Sequence, residues 1–269
     1  MMPDGRAADA RAAAGPWDAH TSAQAGPADV QRVVARAPVF AGSRQLLEPL
    51  LARGAWPSLD ELSTYAGVRC VPDERAGRRR SPRRRSDLYD ARITEQGALP
   101  TRPENWHDLF NVVTWQAFPR AKRALHARQY RRLCERVPEL FERLPGERTV
   151  EQSALTQLDE GGLLLSLPRE VSSSAIAALS AQLRDLAKAR EALTNEHLAP
   201  FGARARVFGH AVHEHLALGG RPPRAAVLLL PHPPAELDDA LAAWLSDDTR
   251  PFVGMAASAW VTPWLDTGA

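Results

Sequence analysis

Two short stretches of this 269-residue chain set imidazoles and carboxylates at spacings that can do chemistry. In Asn105-Trp106-His107-Asp108-Leu109-Phe110-Asn111, a helical wheel puts His107, Asn111 and Thr114 on one face, away from the Trp106, Leu109 and Val113 stripe, with Asp108 flanking them. Farther on, His210 and Glu214 are four residues apart, so on a helix both can reach one point. A third source of carboxylate is Asp159 or Glu160, expected on a tight turn closed by Gly161-Gly162. Imidazole with carboxylate suits zinc, manganese or iron, and equally an acid/base pair. The expected metal ligands are therefore His107, Asp108, Asp159, His210 and Glu214, and the expected catalytic groups His107, Asp108, Asn111 and Glu214, converging on one cleft.

Helix-starting grammar competes for some of these residues. Asn105 is a good N-cap, and Asp108 stands at the third helical position, where an acid satisfies free amides and complements the dipole. His107 has no such reason to be there, since histidine is not a preferred first-turn residue. His210 and Glu214 also fit an ordinary exposed helical pair. The zinc-protease patterns fail: H-E-x-x-H and H-x-x-E-H need a histidine or a glutamate where this chain has Ala217 or His213. There is no glycine-rich phosphate loop and no G-x-S-x-G elbow. The His107-Asp108 doublet is similar to that of metal-dependent phosphohydrolases of the HD type.

The elements that must position these residues can be read from periodicity and punctuation. Residues 1–27 are mostly Ala, Gly, Pro and Asp with almost nothing to bury, and read as a disordered tail. Amphipathic helices are expected from Ala28 and over Ser43 to Arg53, and a third after Ser58, whose spacing to Glu61 is that of a capping box. Val68–Val71 and Leu88–Thr94 read as strands. Trp106, Leu109, Phe110, Val113 and Ala117 repeat at helical spacing until Pro119, which can open a second helix to about Arg136. That helix is expected to turn Tyr130, Leu133, Cys134 and Val137 inward, with Arg120, Lys122, Arg123, Arg128, Arg131 and Arg132 outside. Ser153 to Leu167 reads as a hairpin, Ile176 to Leu193 as a long helix, Ala203–Phe208 as a strand entering a helix at Gly209, Val227–Leu230 as a strand, and Leu237 to Leu245 as a last helix. Without a regular βαβ alternation, the expected fold is α+β: a predominantly helical single domain over 28–250 with short strands, followed by an irregular segment at 251–269.

The motif from Asn105 to Asn111, continued by Trp115 and Phe118-Pro119-Arg120, resembles the signature of a bacterial family known as domain of unknown function number three-zero-two-five. The resemblance runs over about residues 30–250, through Leu158-Asp159-Glu160 and Phe208-Gly209-His210-Ala211-Val212-His213-Glu214, which is similar to a G-H-A-x-x-E element of that family. It implies no activity. The C-terminal residues 251–269 depart from the family pattern in lacking a Gly-Pro-Gly-Trp-like segment.

Composition narrows the class. No apolar run approaches a bilayer span and no apolar stretch follows a basic start, so neither membrane insertion nor export is expected, and the location implied is cytoplasmic. Cys70 and Cys134 are far apart and form no thiolate pair. Lysine occurs only at 122 and 188, against 32 arginines, a bias expected of a GC-rich genome. The alternative to a metal-dependent hydrolase of a small or phosphate-containing substrate is a nucleic-acid-binding or protein-interaction module. Its cations would be Arg78, Arg79, Arg80, Arg83, Arg84 and Arg85 with the outer face of the 119–136 helix. Against it, no aromatic residue interleaves with the loop arginines.

Overall fold

The computed structural model describes residues 25–73, 83–189, 193–219, 223–249, 257–262 and 265–267. At its centre, β5 (Gly162–Ser166) and β7 (Arg224–Leu230) run parallel, flanked antiparallel by β6 (Arg204–Val207) on β5 and β8 (Ala257–Trp260) on β7. Every residue of β5 is buried, as a strand covered on both faces must be. Its side chains alternate between two cores: Leu163 and Leu165 point into one with Val227, Leu164 into the other with Phe208, Leu228 and Leu230.

The first core is filled by α1 (Pro27–Arg36), α2 (Ala41–Leu51), α3 (Leu59–Ala66), α5 (Trp106–Ala117), α8 (Ser173–Ala189) and α10 (His210–Leu218), the second by α6 (Pro119–Cys134), α7 (Val150–Gly161) and α11 (Leu237–Ser246). Two small ribbons complete the chain, parallel β1 (Arg69–Pro72) with β3 (Ala98–Thr101) and antiparallel β2 (Arg83–Arg84) with β4 (Leu140–Phe141). The remaining helices are α4 (Tyr89–Gln96) and the single turn α9 (Asn195–Leu198). The fold is α+β and predominantly helical.

Several local expectations change. Leu88–Thr94 is not a strand: α4 occupies it, closed by Gly97 in the left-handed region at φ 58°. The alternation of Tyr89, Ala91 and Ile93 imitates a strand, but the run is too short for periodicity to decide, and its burial against α6 and β3 favours the helix. The hairpin at 153–167 is likewise replaced by α7 running directly into β5. Thr149 caps α7 reciprocally with Gln152, a start signal in the sequence. Gly161-Gly162 is a helix exit rather than a hairpin turn, and a Cβ at Gly162 would stand 2.4 Å from the Leu158 carbonyl oxygen.

The outward face assigned to α6 also fails in part. Lys122 and Arg128 are buried, because α4, α7 and α11 pack around the helix. Val137 is buried as expected, while Tyr130, Leu133 and Cys134 are only half covered. At the C-terminus, the segment expected to be irregular contributes β8 to the sheet. Residues 1–24 of the expected tail, together with Arg78, Arg79 and Arg80, lie outside the described residues. Among the described residues no helix is long and apolar enough to cross a membrane.

Candidate metal centre

Three helix ends meet at one place. His107 is the second residue of α5, His210 the first of α10, and Glu160 lies in the last turn of α7. Asn105 starts α5 by accepting the Asp108 amide N–H at 3.1 Å, and Glu104 just before it takes φ 54°, a left-handed conformation that turns the chain sharply into the helix. α10 begins against the α7–β5 junction: the amides of Phe208 and Gly209 both donate to the Gly162 carbonyl, at 3.0 and 2.8 Å. Only glycine fits at 209, where a Cβ would come 2.3 Å from the Gly162 nitrogen and 2.6 Å from the Glu160 oxygen. This close backbone approach is what brings His210 to Glu160.

The Nε2 atoms of His107 and His210 are 2.9 Å apart, and Glu160 Oε2 lies 3.2 Å from the second and 3.6 Å from the first. A cation about 2.1 Å from each of its ligands holds them about 3.0 Å apart at a right angle and about 3.4 Å apart at the tetrahedral angle. The three observed separations bracket those values, and these are the residues among those described whose ligand atoms cluster closely enough to share an ion. Behind His107, its Nδ1 is 2.9 Å from Glu214 Oε2. A carboxylate there takes the Nδ1–H and turns the Nε2 lone pair of the neutral ring toward the cluster, the outer-shell arrangement common around metal-bound histidine. His210 is fixed differently, by burial, and its Nδ1 finds no hydrogen-bond partner among the described residues.

Solvent reaches the cluster from one side. Glu160 is 43% exposed and His107 29%, while His210 is at 3%. The hydrogen bond that His107 donates to Glu214 raises the His107 pKa above its ordinary value against the opposing effect of burial, with the charge of Glu160 adding to the rise. Burial would raise the Glu160 carboxyl, but the His210 hydrogen bond and charge hold it below the usual carboxylate value.

Of the residues expected from sequence, His107, His210 and Glu214 come together, and Asp108, Asn111 and Asp159 do not join them. Asp108 turns back to Arg102, accepting its backbone N–H at 2.6 Å and its guanidinium at 2.9 Å through both oxygens. Asn111 points inward, donating to the Tyr89 hydroxyl at 2.9 Å and accepting from Lys122 Nζ at 2.8 Å. Asp159 faces the core and pairs with Lys122. Burial alone would raise its carboxyl, yet Lys122 foremost, with His126 and His210 behind it, holds it well below the carboxylate range. The acid of Asp159-Glu160 that reaches the histidines is therefore Glu160, because a helix turns consecutive residues about 100° apart where a tight turn would have presented either one. The capping box at Thr149 and Gln152 was the signal for that helix.

Four of the five arginines of α6 are matched by acids on neighbouring helices or beyond, Arg120 with Asp239, Arg128 and Arg132 with Glu151, and Arg131 with Asp248, while Arg123 donates to the Gly67 carbonyl at 3.1 Å. In the other arginine run, Arg83 and Arg84 form β2, and Arg85 donates to the Val137 carbonyl at 2.8 Å. Among the described residues these arginines tie neighbouring elements together through carboxylates and backbone carbonyls.

The family model described as "Protein of unknown function (DUF3025)" matches residues 78–263, well over half of the chain. The chain belongs to this family. The DUF3025 match begins later and ends later than the resemblance read from the sequence motifs, leaving out α1 to α3 and taking in β8. All four residues of the cluster, His107, Glu160, His210 and Glu214, lie inside the DUF3025 segment. No curated protein and no solved structure matches the chain significantly.

Proposed function

We propose that His107, His210 and Glu160 hold one divalent ion of the zinc, manganese or iron class, and that the centre hydrolyses a small or phosphate-containing substrate. The observation that carries this reading is the convergence of two imidazole Nε2 atoms and a carboxylate oxygen within 3.6 Å, with Glu214 behind one of the rings. Two histidines and one carboxylate leave coordination positions open on the exposed side, as a catalytic site needs and a closed structural site does not. When bound, the ion supplies a Lewis acid and an activated water.

The chain's own groups do the rest. Glu214 holds the Nδ1 proton of His107 and fixes its ring, Glu160 brings the negative charge that a divalent ion requires, and the buried His210 anchors the set. Asp108 grips Arg102, whose charge also attracts Glu214, so this ion pair steadies the carboxylate behind His107. The aspartate and asparagine named with the histidines thus act as supports.

The test is metal analysis of protein prepared without a chelating tag, with thermal melts in added manganese or zinc and turnover of simple phosphate esters. The wild type is expected to carry one ion per chain and to melt higher with metal, and His107→Ala to lose both properties together with any turnover. Absence of metal at every stoichiometry and no thermal response would overturn the reading.

A further inference from the structure

We infer that Lys122 is the positioning residue of this centre, a buried ammonium that sets the spacing of the three segments carrying the ligands. The inference rests on the metal reading above and adds a residue that sequence spacing assigned to the solvent face.

Lys122 is fully buried in α6. Its Nζ donates at 2.8 Å to Asn111 Oδ1, one helical turn beyond His107 on α5. The same ammonium pairs with Asp159, the residue directly before Glu160 on α7. It also lies 5.9 Å from the ring of Phe208, two residues before His210, and 5.8 Å from that of Trp115. One charge therefore binds side chains on two of the segments that deliver a ligand and faces an aromatic ring on the third. Gly209 already seats the start of α10 on α7, and α10 packs along α5, so what the ammonium adds is a tie between α5, in the first core, and α7, in the second.

The chemistry at this point favours lysine specifically. Its compact ammonium directs three donors at separate acceptors, where a planar guanidinium would need a wider, fork-shaped receptor. In a chain that uses arginine 32 times and lysine twice, a lysine fills this position. Asn111 is held in turn by its own donation to Tyr89 at 2.9 Å, so the carbonyl facing Lys122 cannot rotate away without losing a second bond. A buried ion pair contributes little net stability over a well-packed apolar pair, and is retained where it fixes a unique arrangement. Here the arrangement fixed is the separation of His107, Glu160 and His210.

The deciding comparison is the double variant Lys122→Met with Asp159→Asn, which removes both charges and nearly keeps the volume. Zinc and manganese affinities are measured by calorimetry well below the melting temperature, and the cobalt-loaded protein is compared by its visible absorption. Expected is a melting temperature close to wild type with metal affinity reduced by about 10- to 100-fold, the range of outer-shell losses, and an altered cobalt spectrum. A purely structural pair would leave affinity and spectrum unchanged once the protein is folded, and that result would overturn the inference. Should the double variant not fold, Asn111→Leu removes one of the two hydrogen bonds of Lys122 and leaves the ion pair, with weakened metal binding expected and wild-type binding counting against the inference. If wild-type protein itself binds no metal, the metal reading falls and this inference with it; if wild type binds metal and the variants retain its full affinity, the metal reading stands and Lys122 loses its role.

Discussion

His210 and His213 stand three residues apart on α10 and live in opposite surroundings. His210 opens the helix among polar groups, its Nε2 facing His107 and Glu160. His213, less than one turn later, is stacked against the rings of Phe40 and Phe110, with the hydroxyl of Ser43 at 3.3 Å from its Nε2. Burial pushes its pKa down to about 3, so it is a neutral aromatic filler of the first core. The two rings are equally hidden, so burial does not separate the clustered histidine from the packed one. What separates them is the company each keeps: a carboxylate and a second imidazole in one case, two hydrocarbon rings in the other.

The contrast is broken most directly by exchanging which histidine is removed. His210→Ala is expected to lower metal affinity by more than the roughly 100-fold upper range of outer-shell changes, whereas His213→Phe should leave stoichiometry and affinity at the wild-type level in calorimetry. Equal losses from both would erase the distinction.

Gly209→Ala tests how α10 is seated rather than what it carries. The added methyl meets the backbone of 160–162, which cannot yield as a side-chain tip does. The expected cost is about 1–3 kcal/mol of stability, typical of overpacking, read from denaturant melts, together with weaker metal binding as His210 is pushed from Glu160. A variant as stable as wild type would mean that the junction is looser than these distances imply.

The partners of the rings sharpen the comparison further. Glu214→Gln keeps an acceptor for His107 but removes the charge, and should reduce metal affinity by about tenfold or more; Ser43→Ala, at the other ring, should not change it. The smallest expected effect is on acid stability. The folded pKa of His213 lies below the ordinary value of 6.5, so between about 6.5 and about 3 the unfolded chain binds a proton that the native state excludes. Stability therefore falls as pH falls through this window, by at most about 1.4 kcal/mol per pH unit for one proton. His213→Phe is expected to flatten that limb in urea melts taken at pH 5 and pH 7, and an unchanged slope would assign it to other groups.

Local grammar made much of this protein legible. The caps at Ser58 and Asn105, the apolar seam of α5, the entry of α10 at Gly209 and the buried run of β7 could be read in the chain because each depends on neighbours within a turn or two. So could the candidacy of His107, His210 and Glu214, since helical spacing fixes which residues share a face. The strand assigned to α4 and the hairpin assigned to α7 and β5 were misread where a short apolar run satisfies both periods, and the choice was made by packing on α6 and against the sheet.

What only the tertiary structure decided is which groups meet. The separation between His107 and His210 along the chain is over a hundred residues, and no spacing rule connects them. Selection of Glu160 over Asp159 followed from the helical phase of α7 relative to α10, and the inward turn of Lys122 from three helices closing around α6. Short-range sterics and hydrogen bonding wrote most of the helices and their caps into the sequence; the short ambiguous runs, the buried face of α6 and the meeting of the polar groups depended on how two cores, on opposite sides of one sheet, pack against each other.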